Sequence, residues 1–306
     1  MSMRELITLN FTAKGPFDLK RTIESGHSSF PIPMSDKMNR YYMVIKVPET
    51  KKVTICRVFQ NKTKMAAEIL SPDRTLEDNE VKSMRKYLRV IFGLDLDLVQ
   101  FFEEFKSDKL APAFKANAGL RLTRAHDLFE SLICSILTQN NSVWKFNSQA
   151  RKIKELMGEK YPTEHFMIYS FPEPQTLFRM KHLLKDARLG YREEYVINTT
   201  EDIANYQFRL EKLNNLPTLE AKKELLKLKG IGTKVADMFL LYGLGRIDAP
   251  PTDVWIQRGV CKLLFKGKEK SIEECRDKLL NHYGKWAGLA QLYMFDYMRS
   301  ITQNEK

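Results

Sequence analysis

The sequence predicts an α+β protein in which an antiparallel β domain precedes a mostly helical region. Two segments rich in β-branched and aromatic residues, Tyr41 to Val47 and Val53 to Phe59, are joined by a polar, proline-containing link that is typical of a hairpin. Leu6 to Phe11 predicts a further strand. Beyond residue 97 the apolar residues recur at helical spacing. We therefore place a β domain with helices at residues 1–97 and a helical core of two subdomains at 98–306.

Length and charge narrow the class of protein. A chain of 306 residues suggests two domains or three small ones. Fifty Lys and Arg residues against 38 Asp and Glu residues give a net charge of +12, which favours a polyanionic partner such as nucleic acid. A lysine-rich soluble surface explains the charge equally well. No run of 18 uncharged apolar residues occurs, so we expect no membrane span, and the first twenty residues predict folded protein rather than a signal peptide.

Cysteine usage argues against a metal cluster. The chain contains Cys56, Cys134, Cys261 and Cys275, and no two of them are two residues apart. The five histidines do not combine with them at zinc spacing, and the four cysteines do not have the spacing of an iron–sulfur site. We therefore expect no required cofactor and no iron–sulfur cluster, in a chain that stays reduced inside the cell.

An apolar helix ends in an unusual run of amides. Asp127 is suited to cap a helix whose apolar residues form one broad face. That helix runs into Thr138-Gln139-Asn140-Asn141. These side chains could simply cap the helix end, or they could face a partner rich in hydrogen-bonding groups. The cap is the simpler interpretation.

Two glycines separate two short helices later in the chain. Gly230-Ile231-Gly232 lies between a helix starting near Leu219 and a second helix from Thr233 to Leu244, which together predict a helix-hairpin-helix at about 219–244. Exposed backbone amides at the start of a helix bind anions, and glycine lets a phosphate approach closely. An ordinary pair of helices is the alternative, but the basic charge favours contact with a DNA backbone.

Lys234 and Asp253 are the candidate catalytic residues. Lys234 lies in the first turn of the second helix, where the helix dipole disfavours a charged amine, and a neutral amine is a nucleophile. A phosphate-contacting cation is the alternative for this position. Asp253 follows two prolines and precedes an apolar helix, so it can act as an N-cap. A hairpin lysine followed about twenty residues later by such an aspartate is more specific than either feature alone.

Five motifs in order resemble the helix-hairpin-helix DNA glycosylases, most closely the 8-oxoguanine DNA glycosylase/AP lyases. The central match is GIGTKVAD with the later Pro-x-Asp-Val, within Leu228 to Val254. The other four are SGHSSF (Ser25 to Phe30), GLRLTRAHDLFESLICSILTQNN (Gly119 to Asn141), LGYREEYV (Leu189 to Val196) and GKWAGLAQLYMF (Gly284 to Phe295). The resemblance therefore covers nearly the whole chain. It implies an N-terminal β domain like half a TATA-binding protein, then two helical domains with the active site between them.

The resemblance also implies a chemistry for the two candidates. The lysine matching Lys234 attacks the sugar of the damaged nucleotide, expels the base and forms a Schiff base, after which β-elimination cuts the strand on the 3′ side. The aspartate matching Asp253 stabilises the positive charge that develops on the sugar. The target base leaves the helix to be reached. Phe295 then stacks on the flipped purine, Gln291 binds its Watson–Crick edge, and the Gly26 carbonyl accepts the N7 hydrogen of 8-oxoguanine.

Further residues are assigned to DNA by the same resemblance. Tyr191 wedges into the duplex, and Arg192, Gln139 and Asn140 contact the orphan cytosine. The amides of Gly230, Gly232 and Val235 hold a phosphate. The carbonyls of Leu226, Leu228 and Ile231 could hold a structural monovalent or divalent cation.

The chain departs from the family pattern in four places, one of which is Ser29-Phe30, where the usual following Arg-Trp is missing. Ser142-Val143-Trp144 follows the amides where eukaryotic members continue differently, which affects cytosine discrimination. Trp255 replaces a histidine beside Asp253, so one phosphate contact is lost or replaced. Met238 stands where a cysteine packs against the base in some relatives, which changes the lesion pocket.

Two other functions remain open. The first is an alkylated-purine glycosylase of the 3-methyladenine type, a branch that keeps the aspartate and lacks the lysine. The second is a non-catalytic helix-hairpin-helix DNA-binding protein, which needs no Asp253. In each case we expect a monomer that binds double-stranded DNA, contacts no membrane and is found with the DNA in the cytoplasm, nucleoid or nucleus.

Overall fold

The computed structural model describes residues 4–26, 30–71 and 75–304, and side chains between 7 and 299 within those ranges. Half of the predicted motif Ser25 to Phe30, namely His27, Ser28 and Ser29, therefore lies outside the described residues.

The predicted N-terminal antiparallel sheet is confirmed. Within the described ranges its five strands are β1 (Arg4–Phe11), β2 (Met34–Ser35), β3 (Tyr41–Lys46), β4 (Val53–Asn61) and β5 (Lys64–Ser71). They pair antiparallel in the order β1-β5-β4-β3-β2. The predicted hairpin is β3–β4, in which Tyr41 lies opposite Val58. The sequence analysis missed β5, because its alanines, glutamate and methionine have no strand preference; pairing with β1 and β4 on both sides holds it extended.

Helices make up most of the remaining described chain. Their bounds are α1 (Leu19–Glu24), α2 (Asp78–Ile91), α3 (Leu98–Glu104), α4 (Ala111–Ala116), α5 (Leu128–Leu137), α6 (Val143–Met157), α7 (Pro174–Arg179), α8 (Arg192–Ala204), α9 (Thr218–Leu225), α10 (Thr233–Met238), α11 (Val254–Leu264), α12 (Ile272–Tyr283) and α13 (Ala287–Asn304). Two short strands, β6 (Lys160–Pro162) and β7 (Met167–Tyr169), form a small hairpin. None of the helices in the described ranges is long and apolar enough to cross a membrane.

The described apolar side chains form three large clusters. The first lies between the sheet and α2, around Ile45 and Leu88. The second joins α5, α6 and the hairpin helices around Ile133. The third joins α3 and α4 to α11, α12 and α13 around Phe101 and Tyr293. The chain therefore enters the third cluster, leaves it for the second and returns, an order that the local sequence does not reveal. A domain boundary at residue 97 remains a prediction.

Helix α10 belongs to both helical clusters. Its first half buries Val235 in the second cluster, and Met238 at its end packs into the third. A single π-helical turn, Phe239–Gly243, continues it, and such turns are frequent at functional sites. Helix α10 therefore lies where the second and third clusters meet.

Candidate active site

The two glycines of the hairpin have different roles. Gly230 has φ +85°, and a Cβ built there would lie 2.2 Å from Cγ of the Tyr195 ring. Both the left-handed backbone and the close ring therefore require glycine. Gly232 has an extended backbone, and a Cβ there would meet no described atom within 4 Å. The space beside Gly232 is open to a ligand, next to the first amides of α10, which have no intrahelical acceptor.

Lys234 and Asp253 form an ion pair. The Lys234 Nζ lies 3.2 Å from Asp253 Oδ2, with the two side chains 29% and 26% exposed. The other carboxylate oxygen, Oδ1, accepts the backbone N–H groups of Trp255 at 3.0 Å and Ile256 at 3.1 Å, and so caps α11. The cap fixes the orientation of the carboxylate, which leaves Oδ2 directed at the lysine.

A cavity of about 340 Å³ opens beside this pair. The four residues assigned to the damaged base, Gly26, Met238, Gln291 and Phe295, line it together with Lys234 and Asp253. They come from a turn after α1, from α10 and from α13, so the fold brings together six residues that span most of the sequence. The volume is suited to a small planar molecule such as a purine.

Gln291 supplies a buried hydrogen-bond acceptor. Its side chain is 3% exposed, and its Oε1 accepts no hydrogen bond from any described residue. A buried acceptor without a partner costs about 1–3 kcal/mol, so such atoms in a cavity wall commonly mark a ligand site. A bound base with N–H donors on its edge would satisfy it.

A larger cleft of about 970 Å³ adjoins the cavity. Lys234, Asp253 and Trp255 border both spaces. The cleft is also lined by several residues assigned to DNA, namely Gln139, Asn140, Gly232 and Val235. Tyr191, which is 48% exposed, lies at its side, with its hydroxyl 3.5 Å from Asn140 Nδ2. The amide run after α5 therefore faces the cleft, and Gln139 also reaches the hairpin, where its Nε2 donates to the Gly230 carbonyl at 3.1 Å.

The base contact expected of Arg192 stays a prediction, and in this structure the side chain binds the protein instead. Its side chain is buried, with 5% exposed. Its guanidinium donates to the carbonyls of Gln139, at 2.7 Å from Nε, of Asn140 at 2.8 Å and of Leu189 at 3.2 Å. Arg192 therefore holds the 139–140 loop, in which Asn140 has φ +43°, and most of its N–H donors bind protein carbonyls.

An aspartate missed by the sequence analysis braces the lysine helix. Asp237, one turn after Lys234, is fully buried, and its Oδ2 accepts from Lys222 Nζ at 2.9 Å and from Arg276 Nε at 2.8 Å. These bonds tie α10 to α9 and α12. Burial lowers the pKa of Lys222, and the charge of Asp237 opposes that shift. Lys222 and Arg276 lie far from Asp237 in the sequence, so sequence spacing could not identify them as its partners.

Arg299 is a second residue that the sequence analysis missed. It lines the cavity and lies four residues beyond Phe295 and eight beyond Gln291 on α13. This helical spacing places all three on one face, a signal that could have identified it.

The three carbonyls assigned to a cation lie at the turn between α9 and α10. The Leu228 carbonyl accepts the Ile231 N–H at 3.2 Å, and Leu226 is partly exposed. Among the described residues, no group of three or more His, Cys, Asp or Glu side chains is placed to hold a metal ion. All four cysteines are buried and free.

A hairpin next to a lysine and an aspartate at the mouth of a base-sized cavity is the arrangement that the resemblance to the helix-hairpin-helix DNA glycosylases predicts. Residues 9–132 match the family model of the 8-oxoguanine DNA glycosylase N-terminal domain. The chain is also similar to a probable N-glycosylase/DNA lyase of Methanothermobacter thermautotrophicus, with 27% identity over 93% of this chain and 94% of that protein. These matches make the chain similar to the 8-oxoguanine DNA glycosylases within that class.

Two further similarities widen the comparison. A DNA-3-methyladenine glycosylase of Bacillus subtilis is 29% identical over 82% of this chain and 84% of its own length. A solved structure described as MBOgg1 in complex with a low-affinity DNA ligand superposes with a TM-score of 0.83 and 26% identity, covering 97% of this chain and 96% of the other.

Proposed function

We propose that this chain is a DNA glycosylase with AP lyase activity that removes 8-oxoguanine from double-stranded DNA. The observation that carries the proposal is the shared cavity: Lys234 and Asp253 stand at its mouth, and Gln291 and Phe295 form its wall. The family model and the N-glycosylase/DNA lyase relative support the same activity.

The base leaves the duplex before the reaction, because its glycosidic bond is not accessible inside the stack. In the cavity the Phe295 ring stacks on the purine, and Met238 packs against it. The Gln291 amide pairs with its Watson–Crick edge. The Gly26 carbonyl accepts the N7–H group, which 8-oxoguanine carries and guanine lacks.

Lys234 and Asp253 then divide the chemistry. Once deprotonated, Lys234 Nζ attacks C1′ while the C1′–N9 bond breaks, and the electron pair of that bond leaves with the base, which takes up the proton that Nζ gave. The Asp253 carboxylate, held 3.2 Å from Nζ, stabilises the positive charge on the sugar. One proton passes from Nζ to O4′ as the sugar ring opens, which gives a protonated imine between Nζ and C1′. The protonated imine acidifies the C2′–H group. Loss of that proton to solvent forms a C2′=C3′ double bond, and the C3′–O electron pair leaves with the phosphate, which cuts the strand.

The hairpin and the cleft hold the DNA. Amides of Gly230, Gly232 and Val235 bind a backbone phosphate near the lesion, and Trp255 packs at the boundary between cavity and cleft. Tyr191 enters the space left by the base, and Gln139 and Asn140 face the opposite strand. The net charge of +12 favours association with DNA.

A hard cation suits the carbonyls at the hairpin turn. Three backbone oxygens, from Leu226, Leu228 and Ile231, form a donor set of the kind that binds such ions. Helix α9 ends at Leu225, so these carbonyls lie outside its regular hydrogen bonding, and that of Leu228 also accepts the Ile231 N–H. The ion would supply positive charge beside the phosphate and take no part in the reaction. Separately from the cation, we expect the protein to act as a monomer, in the part of the cell that holds the DNA.

Base release from matched duplexes tests the proposal. Duplexes with 8-oxoguanine opposite cytosine, with guanine opposite cytosine and with 3-methyladenine opposite thymine are incubated with the protein, and the free base and the cut strand are measured. We expect release only from the first duplex, with strand cutting that requires Lys234. Release from none of them would contradict the proposal and favour simple DNA binding.

Excision of alkylated purines is the second candidate, because the Bacillus subtilis relative is named a DNA-3-methyladenine glycosylase. Release of 3-methyladenine that survives Lys234→Gln would favour this alternative. Such a reaction uses water with Asp253 and leaves the strand uncut.

A further inference from the structure

We propose that Arg299 is a positioning residue for recognition of the oxidised base, acting through the turn at Gly26. The proposal rests on the proposed function. Arg299 lies on α13 on the face of Gln291 and Phe295 and lines the same cavity. It therefore belongs to the wall that receives the base.

Arg299 holds the peptide that precedes Gly26. Its Nη1 donates to the carbonyl of Ser25 at 2.8 Å. The peptide bond is planar, so fixing the Ser25 carbonyl also fixes the Gly26 nitrogen and one end of the Gly26 φ rotation. The Ser25 N–H is bound to the Arg21 carbonyl at 3.1 Å. Ser25 is therefore held by α1 on one side and by α13 on the other.

Gly26 itself is held in an unusual conformation. It has φ +75°, and a Cβ at this position would lie 2.7 Å from Val143 Cγ1. A glycine in open space would sample many conformations. Here α6 closes one side of it, and the bond from Arg299 fixes the peptide on the other side. Contacts with α6 and α13 therefore restrict the φ rotation that carries the Gly26 carbonyl.

The position of this carbonyl decides between two bases that differ at N7. A carbonyl oxygen accepts an N7–H group and is repelled by an N7 lone pair. A displacement of a few tenths of an ångström weakens the first interaction and relaxes the second. Loss of Arg299 is therefore expected to reduce excision of 8-oxoguanine selectively, because cleavage at an abasic site needs Lys234 but involves no base.

Three variants and two substrates test the proposal. Arg299→Ala removes the bond, and Arg299→Lys keeps a charge and a single amine that can reach a carbonyl. Arg85→Ala is the matched control, because Arg85 also donates Nη1 to a carbonyl of the β domain, that of Asn10 at 3.0 Å, far from the cavity. Single-turnover rates are measured on a duplex with 8-oxoguanine opposite cytosine and on the same duplex with an abasic site, beside the melting temperature.

We expect Arg299→Ala to lower 8-oxoguanine excision by about 10- to 100-fold, as for loss of one positioned hydrogen bond, with abasic-site cleavage unchanged. Arg299→Lys should recover part of the rate, and Arg85→Ala should match the wild type. Unchanged excision by Arg299→Ala, or an equal loss on both substrates, would overturn the proposal. If Arg299→Ala does not fold, the same comparison on Arg299→Lys decides. A wild type that cleaves abasic DNA but releases no 8-oxoguanine would reject the proposed function, and this proposal with it.

Discussion

Asp253 shows how one side chain serves both the fold and the reaction. Oδ1 caps α11, and Oδ2 pairs with Lys234. Since asparagine is also a good N-cap, the two roles can be separated by substitution.

We predict that Asp253→Asn keeps the stability of the wild type to within about 0.5 kcal/mol, because the cap survives. Excision should fall by at least about 100-fold, the usual scale for losing a charge that stabilises a transition state. Asp253→Ala should lose the same activity and also about 1 kcal/mol of unfolding free energy. Thermal melting and single-turnover excision check both parts, and equal stability of the two variants would contradict the dual role.

At the scale of elements, the hairpin glycine Gly230 and the turn glycine Gly190 are expected to differ in how much an added methyl group costs. Gly230→Ala introduces a left-handed alanine and a contact with Tyr195. The left-handed backbone costs about 1 kcal/mol and the overpacking about 1–3 kcal/mol, so we expect a loss of about 2–4 kcal/mol. Gly190→Ala is the matched control, since Gly190 has φ +62° and an open space beside it, and should lose only about 1 kcal/mol. Denaturant unfolding measures both, and similar losses would argue against the role of the Tyr195 contact.

The turn before β3 gives a prediction about acid stability. Burial raises the pKa of Asp36, but hydrogen bonds from Arg40, from the Met38 amide and from Tyr42 outweigh it and lower the pKa from 3.8 to about 2. A lowered folded pKa means that the carboxylate stabilises the protein above pH 4 and that this contribution is lost as the pH falls towards 2. The stability gap between the wild type and Asp36→Asn should therefore be constant above pH 5 and close below pH 4. A gap that persists at pH 2 in urea titrations would contradict this.

Parts of the fold and of the site follow from local sequence, and parts do not. Residue types at short spacing encode the helix-hairpin-helix, the cap at Asp253 and the strands β3 and β4. These features could therefore be predicted. Strand β5 depends on its neighbours. Asp237 and Arg192 depend on partners from distant segments, and these contacts exist only once the chain has folded.

At the scale of the whole molecule, Arg121 joins the β domain to the helical units. It is buried, with 1% exposed, and donates to the carbonyls of Lys14 at 2.7 Å, Pro16 at 3.0 Å, Gly93 at 2.6 Å and Leu96 at 3.1 Å. Its place before α5 in the sequence gives no sign of this role.

We predict that Arg121→Ala costs about 4 kcal/mol or more, because several buried carbonyls lose their donor and a cavity remains. Arg121→Lys should cost less, since its amine still reaches some of these carbonyls. Denaturant unfolding measures the change. A loss below about 1 kcal/mol for Arg121→Ala would show that the β domain and the helical part of the chain associate without this residue.

Covalent capture tests the central claim most directly, since the proposed mechanism passes through an imine on Lys234. The wild type, Lys234→Gln and Asp253→Asn are incubated with borohydride and a duplex that carries one 8-oxoguanine opposite cytosine, beside an undamaged duplex. We predict a covalent protein–DNA adduct with the wild type on damaged DNA alone, none with Lys234→Gln and a much slower one with Asp253→Asn. Base release without an adduct, or an adduct that survives Lys234→Gln, would contradict the assignment of Lys234 as the nucleophile.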